Sequence, residues 1–127
     1  MTRSYSPFVP ARRPGGRPTE RPRYRVLVHR AFEREWTALP SHVGLESAQQ
    51  FYDHVAVSPG RPPDVNRTTI LRGRAGRPLA PGCSRTIHYE ISGAGRIDYQ
   101  YADEFRGGRS GDAHAVVLVL TIRLGSH

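Results

Sequence analysis

The alternation of apolar and polar residues changes its period along the chain, and each change predicts an element. Residues 23–29 (RYRVLVH) place Tyr24, Val26 and Val28 on one side, which predicts a first strand. The apolar spacing then becomes helical over residues 31–39, and Pro40 is expected to end that helix.

A second helix and a set of strands follow from the same reasoning. Leu45, Ala48, Tyr52 and Val55 lie at helical spacing with Phe51 beside them, and this stripe predicts a helix over residues 45–57. From residue 68 the period returns to two, which predicts strands over residues 69–71, 84–91, 96–101 and 115–122. The run AVVLVLTI at 115–122 is the most apolar and therefore favours a central position in the sheet.

This order of elements is typical of an α+β domain in which two helices cover one face of a mostly antiparallel sheet. Residues 92–95 (SGAG) predict a tight hairpin turn between two strands. On the strand before that turn Thr86, His88 and Glu90 form the polar side. We therefore expect the face opposite the helices to be available for binding.

The charge is concentrated at the N-terminus. All 19 basic residues are arginines, and the net charge is +8. Residues 1–25 hold seven arginines against one glutamate, whereas the other 102 residues hold twelve against ten acids. With its five prolines, segment 1–22 is expected to be a disordered arm, and residues 23–127 to form the domain.

Several classes of protein are disfavoured by what the chain lacks. Cys83 is the single cysteine, so no disulfide forms within the chain, and the histidines show no spacing typical of a metal site. No run of 18 apolar residues occurs, and the basic N-terminus lacks the apolar core of a signal peptide. These features favour a cytoplasmic protein without a metal, a cofactor or a membrane segment.

Short motifs in this order resemble the RelE/ParE superfamily of bacterial toxins, in particular its RelE/YoeB/HigB branch. They are FEREW at 32–36, Leu71-Arg72-Gly73, the stretch from Cys83 through His88-Tyr89-Glu90 to Arg96-Ile97-Asp98-Tyr99, and a last apolar strand followed by a polar tail with His127. The resemblance covers residues 23–127. It implies a RelE-like β-α-α-β-β-β fold, in which a further strand can follow.

The resemblance also implies a function. Toxins of the RelE/YoeB/HigB branch are metal-independent endoribonucleases that cleave messenger RNA, often on the ribosome, and a cognate antitoxin protein neutralises them. The 2′-hydroxyl attacks the adjacent phosphate, so the reaction needs a base, a positive group at the phosphate and an acid for the 5′-oxygen.

Four residues of this chain match catalytic positions of the family. Arg96 matches a phosphate-binding arginine, although it can instead pair with Glu90 across the hairpin. His127 is the candidate acid, although as the last residue it can equally be a frayed end. Because the chain has no lysine, His88 or Glu90 would serve as the base, unless they only form a solvated sheet face.

Four further residues are candidates for RNA binding. Arg72, Arg85 and Arg123 are expected to contact the RNA backbone, and Tyr99 to stack on a base. The alternation of Tyr99 with Ile97 is also typical of a core position.

Two other functions stay open at this point. A ParE-like toxin would share the fold but inhibit DNA gyrase without cleaving RNA. A non-catalytic nucleic-acid-binding protein would rely mainly on the arginine-rich arm, whose affinity should fall steeply with salt.

Overall fold

The computed structural model describes residues 7–18, 20–61, 68–93, 95–105 and 113–124. The strands are β1 (Phe8–Pro10), β2 (Arg25–His29), β3 (Thr68–Ile70), β4 (Ile87–Ser92), β5 (Gly95–Phe105) and β6 (His114–Leu124), and the helices are α1 (Glu33–Val43) and α2 (Leu45–Val57). Short 3-10 turns, Arg30–Phe32 and Gly73–Gly76, follow β2 and β3. Two helices beside a mostly antiparallel sheet confirm the α+β class.

The six strands lie in the order β1-β2-β6-β5-β4-β3. Among the described strands, only β2 and β6 pair in parallel, with Leu27 opposite Leu118, and the other neighbours are antiparallel. The prediction that the apolar run at 115–122 is a central strand is confirmed, because β6 pairs on both sides. The two helices fill the crossover between β2 and the later strands, as a parallel pair requires.

Helix α1 is longer than predicted. Pro40 was expected to end it, but the helix continues to Val43 with Pro40 in its interior. Proline there removes one backbone hydrogen bond and costs about 3 kcal/mol relative to alanine. The burial of Trp36 and Leu39 against the core offsets this cost. Gly44 at φ 93° then ends α1 and leads directly into α2.

Helix α2 has the predicted bounds, and its predicted apolar stripe is buried apart from the first residue: Ala48, Tyr52 and Val55 are buried, as is Phe51 beside them. Phe51 is fully buried and meets the rings of Tyr89 and Tyr99 edge-on, at centroid distances of 5.0 and 5.9 Å. Leu45 was expected in the apolar stripe and is instead 48% exposed. The aromatic contacts of Phe51 therefore fix the rotation of the helix on the sheet.

The sheet face opposite the helices is only partly open, in contrast to the expectation. Gln100 of β5 is fully buried on this face; its Oε1 accepts from the Leu79 amide, and its Nε2 donates to the Arg77 carbonyl and to Thr86 Oγ1 at 2.9–3.0 Å. These bonds hold the segment between β3 and β4 across the middle of the sheet. What stays accessible is the polar end of β4, β5 and β6.

The N-terminal region differs from the expected disordered arm. Residues 7–18, called the N-terminal strap below, begin with β1 on the edge of β2 and continue across the helices. Phe8, Val9 and Ala11 are buried, and the Ala11 amide donates to the Val26 carbonyl at 2.9 Å. The folded part of the chain therefore begins before residue 23.

Three contacts fasten the strap to the helical layer. Trp36 Nε1 donates to the Arg12 carbonyl at 3.0 Å, and Gln49 Nε2 donates to the Pro14 carbonyl at 3.0 Å. Arg13 forms a two-point ion pair with Asp53, with Nε to Oδ1 at 2.8 Å and Nη2 to Oδ2 at 2.9 Å. The strap thus contacts residues of both α1 and α2.

Candidate active site

Two rows of polar side chains cross β4, β5 and β6 on the face opposite the helices. Their six members, called the polar patch, are His88, Glu90, Arg96, Asp98, Thr121 and Arg123. The rows are two residues apart along each strand, roughly 7 Å. Four of the six residues were predicted from the sequence as catalytic or RNA-binding.

The first row consists of His88, Asp98 and Thr121, which lie opposite one another in the register. Asp98 Oδ1 lies 2.5 Å from His88 Nδ1, and Asp98 Oδ2 accepts from Thr121 Oγ1 at 3.2 Å. The His88 side chain is 30% exposed and that of Asp98 is 19% exposed. Asp98 therefore orients the His88 ring through Nδ1, while the His88 side chain remains accessible to solvent.

The contact with Asp98 determines which nitrogen of His88 can accept a proton. With the Asp98 carboxylate at Nδ1, the neutral ring carries its proton on that nitrogen, and Nε2 keeps a free lone pair. An imidazole oriented in this way can accept a proton at Nε2 and stabilise the resulting imidazolium against the carboxylate.

A β-bulge helps to place Thr121 beside Asp98. Asp98 pairs with Thr121, but the next residue, Tyr99, pairs with Val119, so Leu120 has no partner opposite it on β5. The extra residue lets Thr121 join the polar patch while Val119 and Ile122 remain in the core beneath the helices.

The second row consists of Glu90, Arg96 and Arg123. Like charges directly opposite each other weaken a sheet, so the pairing of Arg96 with Arg123 costs stability unless an anion lies between them. Arg123 and Glu90 are exposed, whereas Arg96 is half-buried. Arg96 Nη1 donates to the carbonyls of Ser92 and Gly95 at 3.0 and 3.1 Å, which holds this side chain at the hairpin turn.

The remaining predicted residues lie elsewhere. Tyr99 belongs to the core, is 1% exposed and donates its hydroxyl to the Pro59 carbonyl at 2.7 Å, so its prediction as a base-stacking residue is wrong. Burial raises the pKa of its phenol. His127 lies outside the described residues.

Arg85 and Arg72 are separated from the polar patch. Arg85 is exposed, but its Nε donates to the Leu71 carbonyl at 3.0 Å and its Nη2 to the Gly73 carbonyl at 2.8 Å, which stabilises the turn after β3. Arg72 borders a cavity at the sheet edge together with Ile70, Ile87 and Tyr99. The structure therefore does not bring these two arginines together with His88.

Asp98 and Thr121 are the members of the polar patch that the sequence analysis did not assign. The signal for Asp98 was present in the predicted hairpin. A tight turn at 92–95 that pairs Glu90 with Arg96 also pairs His88 with Asp98. Thr121 had no such signal, because its position depends on the bulge at Leu120.

Other candidate chemistry is limited within the described residues. No group of three or more His, Cys, Asp or Glu side chains there is arranged to hold a metal ion, and none of the described helices is long and apolar enough to cross a membrane. Cys83 is half-buried, and burial raises the pKa of its thiol, which lowers its reactivity.

Comparison of the chain with protein-family models, with curated proteins and with solved structures finds no match in any of the three.

Proposed function

We propose that the chain is the toxin of a type II toxin–antitoxin pair, a RelE-like, metal-independent endoribonuclease that cleaves messenger RNA on the ribosome. The observation that carries the proposal is the His88–Asp98 contact on the same sheet face as Arg96 and Arg123. The element order also supports it, because two helices connect β2 to a run of antiparallel strands, as the resemblance implies.

In the proposed reaction His88 Nε2 accepts the proton of a ribose 2′-hydroxyl. The 2′-oxygen attacks the adjacent phosphorus, the bond from phosphorus to the 5′-oxygen breaks, and a 2′,3′-cyclic phosphate forms. Arg96 and Arg123 bind the non-bridging oxygens, where negative charge grows in the transition state. The departing 5′-oxygen takes a proton from an acid, the role for which the sequence indicates His127.

Glu90 is the other residue that the sequence indicates as a base. It lies opposite Arg96, is exposed, and is the carboxylate of the second row. We assign His88 as the base in preference to Glu90, because Asp98 orients the His88 ring and an imidazole can both accept and donate a proton.

The decisive experiment combines growth with RNA chemistry. Expression without an antitoxin should arrest a bacterial culture, and His88→Ala or Arg96→Ala should relieve the arrest. Arg34→Ala, which changes an exposed arginine of α1, is the matched control and should leave the arrest intact. The purified protein should cleave RNA in the presence of a chelator and leave a 2′,3′-cyclic phosphate.

Two results would contradict the proposal. One is soluble, folded wild-type protein that leaves RNA intact both alone and with translating ribosomes. The other is inhibition of DNA gyrase supercoiling with RNA left intact, which would favour the ParE-like alternative.

One observation favours a second function, non-catalytic nucleic-acid binding. Arg12 and Arg17 of the strap, and Arg21 and Arg23 just after it, are exposed. Because the strap is fixed on the helices, Arg12 and Arg17 are presented on a folded surface, and the Arg23 amide donates to the Ala56 carbonyl of α2 at 2.8 Å. Salt-dependent RNA binding that survives His88→Ala but is lost when these four arginines become glutamine would support this function.

A further inference from the structure

Among the described residues, no strand pairs with the outer edge of β3. It is the last strand in the sheet order, and its residue Ile70 is 62% exposed although it lies within a strand. The next residue, Leu71, donates its amide to the Thr86 carbonyl at 2.9 Å. Because backbone groups alternate in direction along a strand, the amide and carbonyl of Ile70 point away from β4. Exposed apolar edges of this kind accept an added strand.

A cavity of about 400 Å³ opens beside this edge. Ile70, Ile87 and Tyr99 supply apolar walls, and Pro59 and Gly60 complete the side next to α2. Its volume lies within the range of roughly 300–1,000 Å³ that is typical of ligand pockets, so it has room for an aliphatic side chain. The Tyr99 hydroxyl donates to the Pro59 carbonyl at 2.7 Å, so a hydrogen bond joins two of the residues that line the cavity.

The surroundings of the cavity are basic. Residues 68–87 contain Arg72, Arg74, Arg77 and Arg85, all exposed, and no acidic residue. Arg72 borders the cavity itself. The turn that carries the first two arginines is fixed by the two bonds from Arg85 to backbone carbonyls. A partner on this edge would therefore meet positive charge at fixed positions.

We propose that the β3 edge and its cavity form a docking site for an extended, acidic segment of a partner protein, which inserts one apolar side chain. The segment pairs its main chain with the open edge, places a valine, leucine or isoleucine side chain in the cavity, and directs carboxylates to Arg72 and Arg74. Strand addition of this kind takes affinity from the main chain and specificity from side-chain pockets. Complementary charge adds selectivity and speeds association.

An acidic peptide fits this site better than a nucleic acid does. A phosphate backbone would use the arginines but would leave the apolar cavity and the open strand edge unoccupied. The inference rests on this geometry and does not depend on nuclease activity. Where the proposed function also holds, the antitoxin is the partner with this chemistry.

The test uses a short synthetic peptide in which aspartate alternates with valine and leucine. It is titrated into ¹⁵N-labelled full-length His88→Ala protein, so that the result is independent of cleavage. We expect amide shifts centred on Ile70, Arg72 and Ile87, and affinity that falls with salt. The double change Arg72→Glu, Arg74→Glu should weaken binding roughly tenfold. Arg34→Glu, the matched control on α1, should not change it.

Two further probes make the result unambiguous. A peptide with lysine in place of aspartate should not bind, and a single-stranded DNA oligonucleotide should not shift Ile70 or Ile87. Absence of shifts at these residues with the acidic peptide at millimolar concentration would overturn the proposal. So would equal binding of the lysine peptide, or binding of the oligonucleotide at the same residues. The changed arginines are exposed, so the variants should keep the melting temperature of the parent protein.

Discussion

Asp98 and His88 lie directly opposite each other on β5 and β4, with Asp98 Oδ1 2.5 Å from His88 Nδ1. The other carboxylate oxygen of Asp98 accepts from Thr121. Asp98 is thus held from two sides on neighbouring strands. This arrangement fixes the orientation of the His88 ring before any substrate arrives, which is what a general base requires.

The first prediction concerns Asp98→Asn. An amide can present its NH₂ group to Nδ1, which favours the tautomer with the proton on Nε2 and removes the lone pair from the solvent side. We expect RNA cleavage to fall about 10²-fold or more, the range that general-base catalysis contributes. The ¹⁵N chemical shifts of the His88 ring should report the change of tautomer without any substrate.

A double variant provides the control for this prediction. If Asp98 acts through His88, then Asp98→Asn combined with His88→Ala should be no slower than His88→Ala alone. A further loss of rate in the double variant would mean that Asp98 has a separate role, and an unchanged tautomer in Asp98→Asn would contradict the proposed positioning.

The second prediction concerns Arg123 and the phosphate. Arg123 is exposed beside Arg96, so each phosphate that it neutralises should release counterions. Arg123→Ala should reduce the slope of log affinity against log salt by about 0.7 for a single-stranded oligonucleotide. The measurement uses a 2′-deoxy strand, which cannot be cleaved, and Arg34→Ala serves as the control. Equal slopes in wild type and Arg123→Ala would remove Arg123 from the site.

The grouping of His88, Glu90 and Arg96 was predictable because it depends on local pattern alone. A tight turn and two strands of period two determine which residues share a face and which lie opposite each other. The assignment of Tyr99 to RNA failed for a related reason. Its partners in the core, Phe51 and Pro59, come from α2 and the turn after it, so only the tertiary structure shows that the ring is covered.

The N-terminal strap was not predictable because its stability comes from distant residues. Its composition of proline and arginine is typical of disorder. Its anchors, Trp36, Gln49 and Asp53, lie 24 to 40 residues further along the chain. Proline and arginine are compatible with an extended strap when such partners exist, and no local pattern reveals them.

The third prediction tests whether the ion pair between Arg13 and Asp53, and not the positive charge of the strap in general, holds the strap in place. Arg13→Gln removes the contact with Asp53, so the strap should open more often, and the Ala11 amide should exchange faster with solvent. Arg17→Gln, which removes a neighbouring exposed arginine, is the matched control and should leave this exchange unchanged. Equal exchange rates in the two variants would show that the ion pair does not hold the strap.

The fourth prediction concerns the length of chain needed for a stable fold. Deletion of residues 1–18 removes the buried side chains of Phe8 and Val9, each worth about 1.5–3 kcal/mol. The free energy of unfolding should therefore fall by about 3–6 kcal/mol, measured by urea denaturation. A deletion variant as stable as the full chain would contradict the packing of the strap. Neutralising Arg12 and Arg17 to glutamine should leave stability unchanged.

The last prediction is a pH dependence that comes from His54 on α2. Its Nε2 atom is buried and has no hydrogen-bond partner among the described residues, and burial lowers its pKa from the ordinary value of 6.5. As the pH falls below 6.5, the unfolded chain binds a proton at this site before the folded chain does. The contribution of His54 therefore reduces the free energy of unfolding from pH 6.5 down to the lowered pKa.

His54→Gln should flatten the measured dependence of stability on pH in that window, whereas His42→Gln, at an exposed histidine of α1, should leave it unchanged. An identical pH dependence in wild type and His54→Gln would show that the folded protein binds the proton at His54 as readily as the unfolded chain does.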